Sequence, residues 1–139
     1  MAEIVVGYDG SDCGKAALDE ALRLGQSLGE GIVVVFGYAP PGIWGGEIAE
    51  HAEAIEELGA RVLEEARARA EAAGAEVAVE MVPKKPAEAL AEVAEAREAR
   101  MIVVGSYGDP PLKGAILGST PNKLLHIAGF PVLVVPALG

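Results

Sequence analysis

At 139 residues, 51% apolar and only 4% aromatic, the chain is sized for one α/β domain, 1–139, with a packed core, and is not a disordered sequence. A formal net charge of −10, with no basic patch or cationic arm, argues against nucleic acid as a partner, because such binding draws on cations that displace counterions. The uncharged stretch Gly31 to Gly46 is too short and too rich in Gly and Pro to span a bilayer, which needs about 20 apolar residues, so no membrane association is expected.

The N-terminus runs directly into Ile4-Val5-Val6, a short buried strand ended by Gly7, with no basic region or cleavage site of a secretory signal. Cys13 is the one cysteine and cannot form an internal disulfide, so a cytoplasmic location is expected. Asp9-Gly10-Ser11-Asp12 is turn chemistry, with Ser11 or Asp12 as the cap of a helix. That helix carries Ala17, Leu18, Ala21, Leu22, Gly25 and Leu28 at helical spacing and stops at Gly29 and Gly31. Ile32 to Phe36 reads as a parallel strand covered on both faces. Gly37 to Gly46 is a loop containing Trp44. A long helix follows, with Ile48, Ile55, Leu58, Val62, Ala66 and Ala73 on one face, and ends at Gly74. Val77, Val79 and Met81 alternate with Glu76, Ala78 and Glu80 as a half-exposed edge strand. Pro86 opens a third helix through Ala94. Met101 to Val104 is a further buried strand, Pro121 to Ala128 a last helix and Pro131 to Val135 a final strand.

Strands separated by helices imply a parallel sheet with helices on both faces. In such sheets ligands sit beyond the carboxyl ends of the strands. Asp9, Tyr38 and Gly105 each follow a strand and are expected to converge on that edge. Gly105-Ser106-Tyr107-Gly108 and, nine residues on, Gly118-Ser119-Thr120 form a glycine-punctuated loop leading into a helix, a plausible phosphate cradle. Turn and packing geometry is the alternative for these glycines, a turn or cap for Asp9, and an N-cap ahead of Pro121 for Ser119 or Thr120. His51 and His126 lie on separate helices without metal-ligand spacing, and no Ser-His-Asp or Cys-His set stands out. Gly14-Lys15 lacks the first glycine and the final Ser/Thr of a Walker A loop.

Three pieces of the chain resemble the universal stress protein family: Ile4 to Ser11, Ile102 to Gly108 with Leu117-Gly118-Ser119, and Phe130 to Pro136. The second follows the pattern G-x2-G-x9-G-[S/T] of the ATP-binding branch. The resemblance implies a Rossmann-like five-stranded parallel sheet of order 3-2-1-4-5 and a homodimeric stress-response regulator that binds ATP. It implies that Gly105, Gly108, Gly118, Ser119 and Thr120 line the phosphates and ribose, that Asp9 contacts the nucleoside, that Gly7 and Tyr38 border the adenine and that Val104 packs beneath it. It also implies dimerisation by antiparallel pairing of Val132 to Val135, an apolar edge that carries no charge against pairing. Nothing is an evident general base for attack on the γ-phosphate, so hydrolysis is expected to be slow at most.

Tyr107-Gly108-Asp109-Pro110-Pro111 departs from the family pattern. A carboxylate about 4 Å from a phosphate charge costs on the order of 4 kcal/mol at an effective dielectric of about 20. Asp109 therefore either points away or reaches a divalent cation such as Mg²⁺ bridging to the phosphates, and Lys113 is the one cation of the loop. The alternative function is a nucleotide-free dimeric interaction module of the same fold.

Overall fold

The computed structural model describes residues 2–39, 46–106 and 118–137, excluding the side chains of residues 46–52. Trp44, Gly108, Asp109-Pro110-Pro111 and Lys113 lie outside the described residues. The elements are β1 (Glu3–Gly7), α1 (Asp12–Leu28), β2 (Gly31–Gly37), α2 (Gly46–Ala72), β3 (Ala78–Val82), α3 (Pro86–Ala96), β4 (Met101–Gly105), α4 (Ser119–Ile127) and β5 (Val132–Val135). All strand pairs are parallel and their order is β3-β2-β1-β4-β5, as the sequence led us to expect.

The uninterrupted apolar runs follow from coverage of both faces. Side chains alternate across a strand, so Ile4, Val6, Ile32, Val34 and Val103 pack with residues of α1 and α2. Val5, Val33, Val35, Ile102 and Val104 pack with α3 and with Leu124 of α4.

Ser11 is the N-cap of α1, its side chain accepting from the Gly14 N–H, and Gly29 ends the helix in the left-handed region at φ 67°. Three expected core residues are exposed: Leu28 by 45%, Leu58 by 47%, and Ala73, which follows the last residue of α2. Leu28 is the last residue of α1. The buried line of α2 runs through Gly59, Val62, Leu63, Ala66 and Ala70, which turns Leu58 outward. Helix α4 begins two residues before Pro121 with Gly118 as its N-cap, so Ser119 and Thr120 are helical residues rather than caps. Proline is tolerated there because its missing N–H falls among the first four, which lack intrahelical partners.

The amino edge of the sheet is tied by charge. Arg97 donates to Glu80 at 2.7 Å and to both oxygens of Glu3 at 3.0 and 3.1 Å. Arg100 donates to Glu30 at 2.5 Å and, through its backbone, to the Glu3 carbonyl at 2.8 Å. The opposite, carboxyl edge is left for the site.

Candidate functional site

Parallel register brings Gly7, Gly37 and Gly105 to the carboxyl edge together. There a cleft of about 620 Å³, part of it open to solvent, lies among the strand ends and the starts of three helices. Gly7, Val104, Gly105 and residues 35–37 supply strand-end walls, and Asp9 faces the cleft from the β1–α1 turn. Gly14 of α1, Pro86 and Leu90 of α3, and Ser119, Thr120 and Pro121 of α4 complete it. Helix starts carry unsatisfied N–H groups and positive partial charge, so this edge suits an anion. Val35, Val104 and Leu90 give it an apolar wall. The arrangement fits a ligand with a flat apolar body and an anionic tail.

Bare backbone makes the cleft possible. A Cβ on Gly105 would lie 2.7 Å from the carbonyl carbon and Cβ of Cys13 and 2.8 Å from the Cys13 oxygen. Gly105 thus lets the first turn of α1 press against the end of β4. In the same contact the Cys13 thiol lies 3.6 Å from the Ser106 hydroxyl, both buried. The Gly118 N–H donates to the Ser106 carbonyl at 2.6 Å, joining the end of β4 to the start of α4.

Asp9 is held by its own turn. Its Oδ1 accepts from the Ser11 N–H at 2.9 Å and from the Ser11 hydroxyl at 2.5 Å. The same hydroxyl accepts from the Gly14 N–H at 3.1 Å.

Of the residues singled out from the sequence, Gly7, Asp9, Val104, Gly105, Ser119 and Thr120 line the cleft. Gly118 is outside the lining, at the bond to Ser106. Tyr38 is outside the lining. Its ring stacks on Phe36 at 6.3 Å and 29°, and its hydroxyl donates to Glu56 at 3.3 Å. Phe36 and Tyr8 are the aromatic residues among those that line the cleft. Sequence reasoning missed the contribution of Pro86 and Leu90. The one available signal was Pro86 as a helix opener directly after a strand, which in this architecture lies at the ligand-binding edge. Among the described residues, no group of three or more His, Cys, Asp or Glu is placed to hold a metal ion.

Tyr8 joins the cleft to α2. Its ring is 3% exposed and its hydroxyl donates to Glu65 at 2.6 Å, while Lys15 of α1 lies 3.8 Å from the same Glu65 oxygen. Burial, reinforced by the bond to Glu65, raises the Tyr8 phenol above its usual range. The folded protein therefore holds this proton more tightly than the unfolded chain. The resulting stability is complete below about pH 10 and is lost as pH rises beyond it. In Tyr8→Phe, urea unfolding from pH 9 to 11.5 is expected to lack this alkaline loss, which reaches at most about 1.4 kcal/mol per pH unit in the parent. Equal alkaline slopes for the two proteins would contradict the assignment.

A sequence profile of the universal stress protein family matches residues 1–136. A Thermus aquaticus universal stress protein, encoded in the 3′ region of a QAH/OAS sulfhydrylase, is 35% identical over 141 residues, covering 95% of this chain and 96% of the relative. Among solved structures, a universal stress protein in complex with cAMP is similar with a TM-score of 0.76 at 28% identity, over 99% of this chain and 98% of that one. The Archaeoglobus fulgidus universal stress protein in complex with dAMP shares the fold, with a TM-score of 0.71 at 22% identity, over 97% of this chain and 98% of its own.

Proposed function

The chain belongs to the universal stress protein family, and from that premise we propose that it binds ATP in the carboxyl-edge cleft and acts as a dimeric regulator with at most slow hydrolysis. The observation that carries this reading is that Asp9 and the helical start Ser119–Thr120 line one cleft with an apolar wall. The adenine lies against Val104, bordered by Gly7 and by Phe36, on which Tyr38 stacks from outside the lining, with Asp9 at the nucleoside. The phosphates extend towards Gly105, Ser119 and Thr120, with Gly108 and Gly118 from the glycine pattern. Relatives solved with cAMP and dAMP support an adenine nucleotide as the ligand class. Mg²⁺, where it accompanies ATP, would be held by phosphate oxygens, and Asp109, outside the described residues, either reaches that ion or points away.

Nucleotide released by denaturing the purified protein, read by absorbance and mass spectrometry, is expected to contain adenine. After nucleotide removal, millimolar Mg-ATP is expected to raise Tm. A Kd of about 10 µM would give about 2.7 kcal/mol, roughly 10 °C for a chain of this size. Absence of both signals would replace the reading with that of a nucleotide-free interaction module.

A further inference from the structure

We infer that Ser11 is a positioning residue for the ligand, aiming the Asp9 carboxylate into the cleft as well as capping α1. This rests on the nucleotide reading of the cleft and adds the device that presents its nucleoside end.

The direction of each bond follows from the donors present. The Gly14 N–H can only donate, so at 3.1 Å it fills an acceptor position on the Ser11 oxygen. The hydroxyl proton is then directed to the 2.5 Å contact with Asp9 Oδ1. Ser11 is 6% exposed, so little water competes for that proton. A second donor, the Ser11 N–H, reaches the same oxygen at 2.9 Å. Gly14 closes the arrangement, since a Cβ there would stand 2.7 Å from Oδ1.

The two donors commit Oδ1, and Oδ2 accepts no hydrogen bond from the described residues. Asp9, exposed at the cleft, therefore offers one acceptor oxygen in a fixed orientation. That oxygen favours a ligand group bearing N–H or O–H, such as a base amino group or a ribose hydroxyl, and repels phosphate. It thus sets which end of the ligand enters which end of the cleft. Holding the carboxylate before binding removes an ordering cost that the ligand would otherwise meet.

Capping alone does not account for this geometry. An N-cap needs only the bond from Gly14, and glycine is accepted at that position at small cost to the helix. Ser11→Gly therefore keeps α1 and the backbone donor while removing the hydroxyl that anchors Asp9. The experiment is a double-mutant cycle on Mg-ATP affinity, measured by calorimetry on the parent, Ser11→Gly, Asp9→Ala and the double variant. Ser11→Gly is expected to weaken binding about tenfold in the parent, the scale of one charge-assisted hydrogen bond. It should weaken binding less than about twofold in the Asp9→Ala background, the usual tolerance for independent sites. Ser11→Thr, which keeps the hydroxyl, should restore parental affinity. An equal loss in both backgrounds, or no loss in either, overturns the positioning role while leaving the nucleotide reading intact. A parent protein that binds no ATP overturns both.

Discussion

Gly105→Ala is expected to lower stability by about 3 kcal/mol, the upper end for overpacking a well-packed interior, and to lower Tm by roughly 10 °C. The added methyl would meet backbone rather than a side chain that can swing aside: the Cys13 carbonyl carbon and Cβ stand at 2.7 Å and its oxygen at 2.8 Å. Relief requires α1 to lift from the end of β4. That helix start is fixed by the Ser11 cap and by its packing on the sheet. The movement would also displace Gly14 and the Asp9 turn, so nucleotide affinity should fall together with stability. Gly129→Ala is the control, because no neighbouring atom lies within 4 Å of its Cβ position, and a change within about 0.5 kcal/mol is expected there. Thermal and urea unfolding of the two variants decide the matter. A Gly105→Ala protein as stable as Gly129→Ala would show that the α1–β4 contact yields easily.

The second large effect concerns the sheet edge. Strand β5 has β4 on one side and none of the other four strands on its other, and we propose that a second copy pairs there. The β4 donors Ile102 and Ser106 reach the carbonyls of Pro131 and Val135. In a parallel ladder, alternate residues turn their N–H and C=O to the same neighbour. Residues 131, 133 and 135 therefore face β4, and Val132 and Val134 turn their backbone groups outward. Val134→Pro removes an outward N–H while sparing the ladder to β4, the position at which proline is tolerated in an edge strand. In a two-fold dimer the loss occurs twice, once per protomer. With about 1 kcal/mol for each bond and the ring obstructing close approach, the dimer Kd is expected to rise about 100-fold. Analytical ultracentrifugation should show a dimeric parent and a largely monomeric, still folded variant at micromolar concentration. A variant that remains dimeric would remove β5 from the interface.

The fold was legible because its elements announce themselves locally. Val5 and Val33 sit in runs that are apolar on both faces, Gly29 marks a helix end, and Pro86 opens α3. Errors arose where rotation about an axis matters. Leu58 matches a helical spacing, but the bare Gly59 is where α2 meets the Phe36 ring, at 2.7 Å from a Cβ built there, so the buried line passes beside Leu58. The start of α4 shifted for a local reason, since Pro121 can occupy the third helical position as readily as the first. For the site, loop glycines and the Asp-Gly-Ser turn could be read directly. Leu90 on the cleft wall could not, because an α3 residue gives no sign of which strand end it will cover. Glu65, 57 residues from Tyr8, carries no periodic signal of its contact. Gly105 shows the overlap most clearly: it was read as a phosphate-loop residue, and its bare Cα also accommodates Cys13.

The bond from the Gly118 N–H to the Ser106 carbonyl joins the two described residues between which the eleven residues 107–117 are inserted. Its consequence is modularity. With the ends at Ser106 and Gly118 joined, doubling the number of residues between them would add only about 0.6 kcal/mol of closure cost. Asp109-Pro110-Pro111 falls within that stretch of sequence. A change of sequence there leaves the backbone bond between the end of β4 and the start of α4 with the same donor and acceptor.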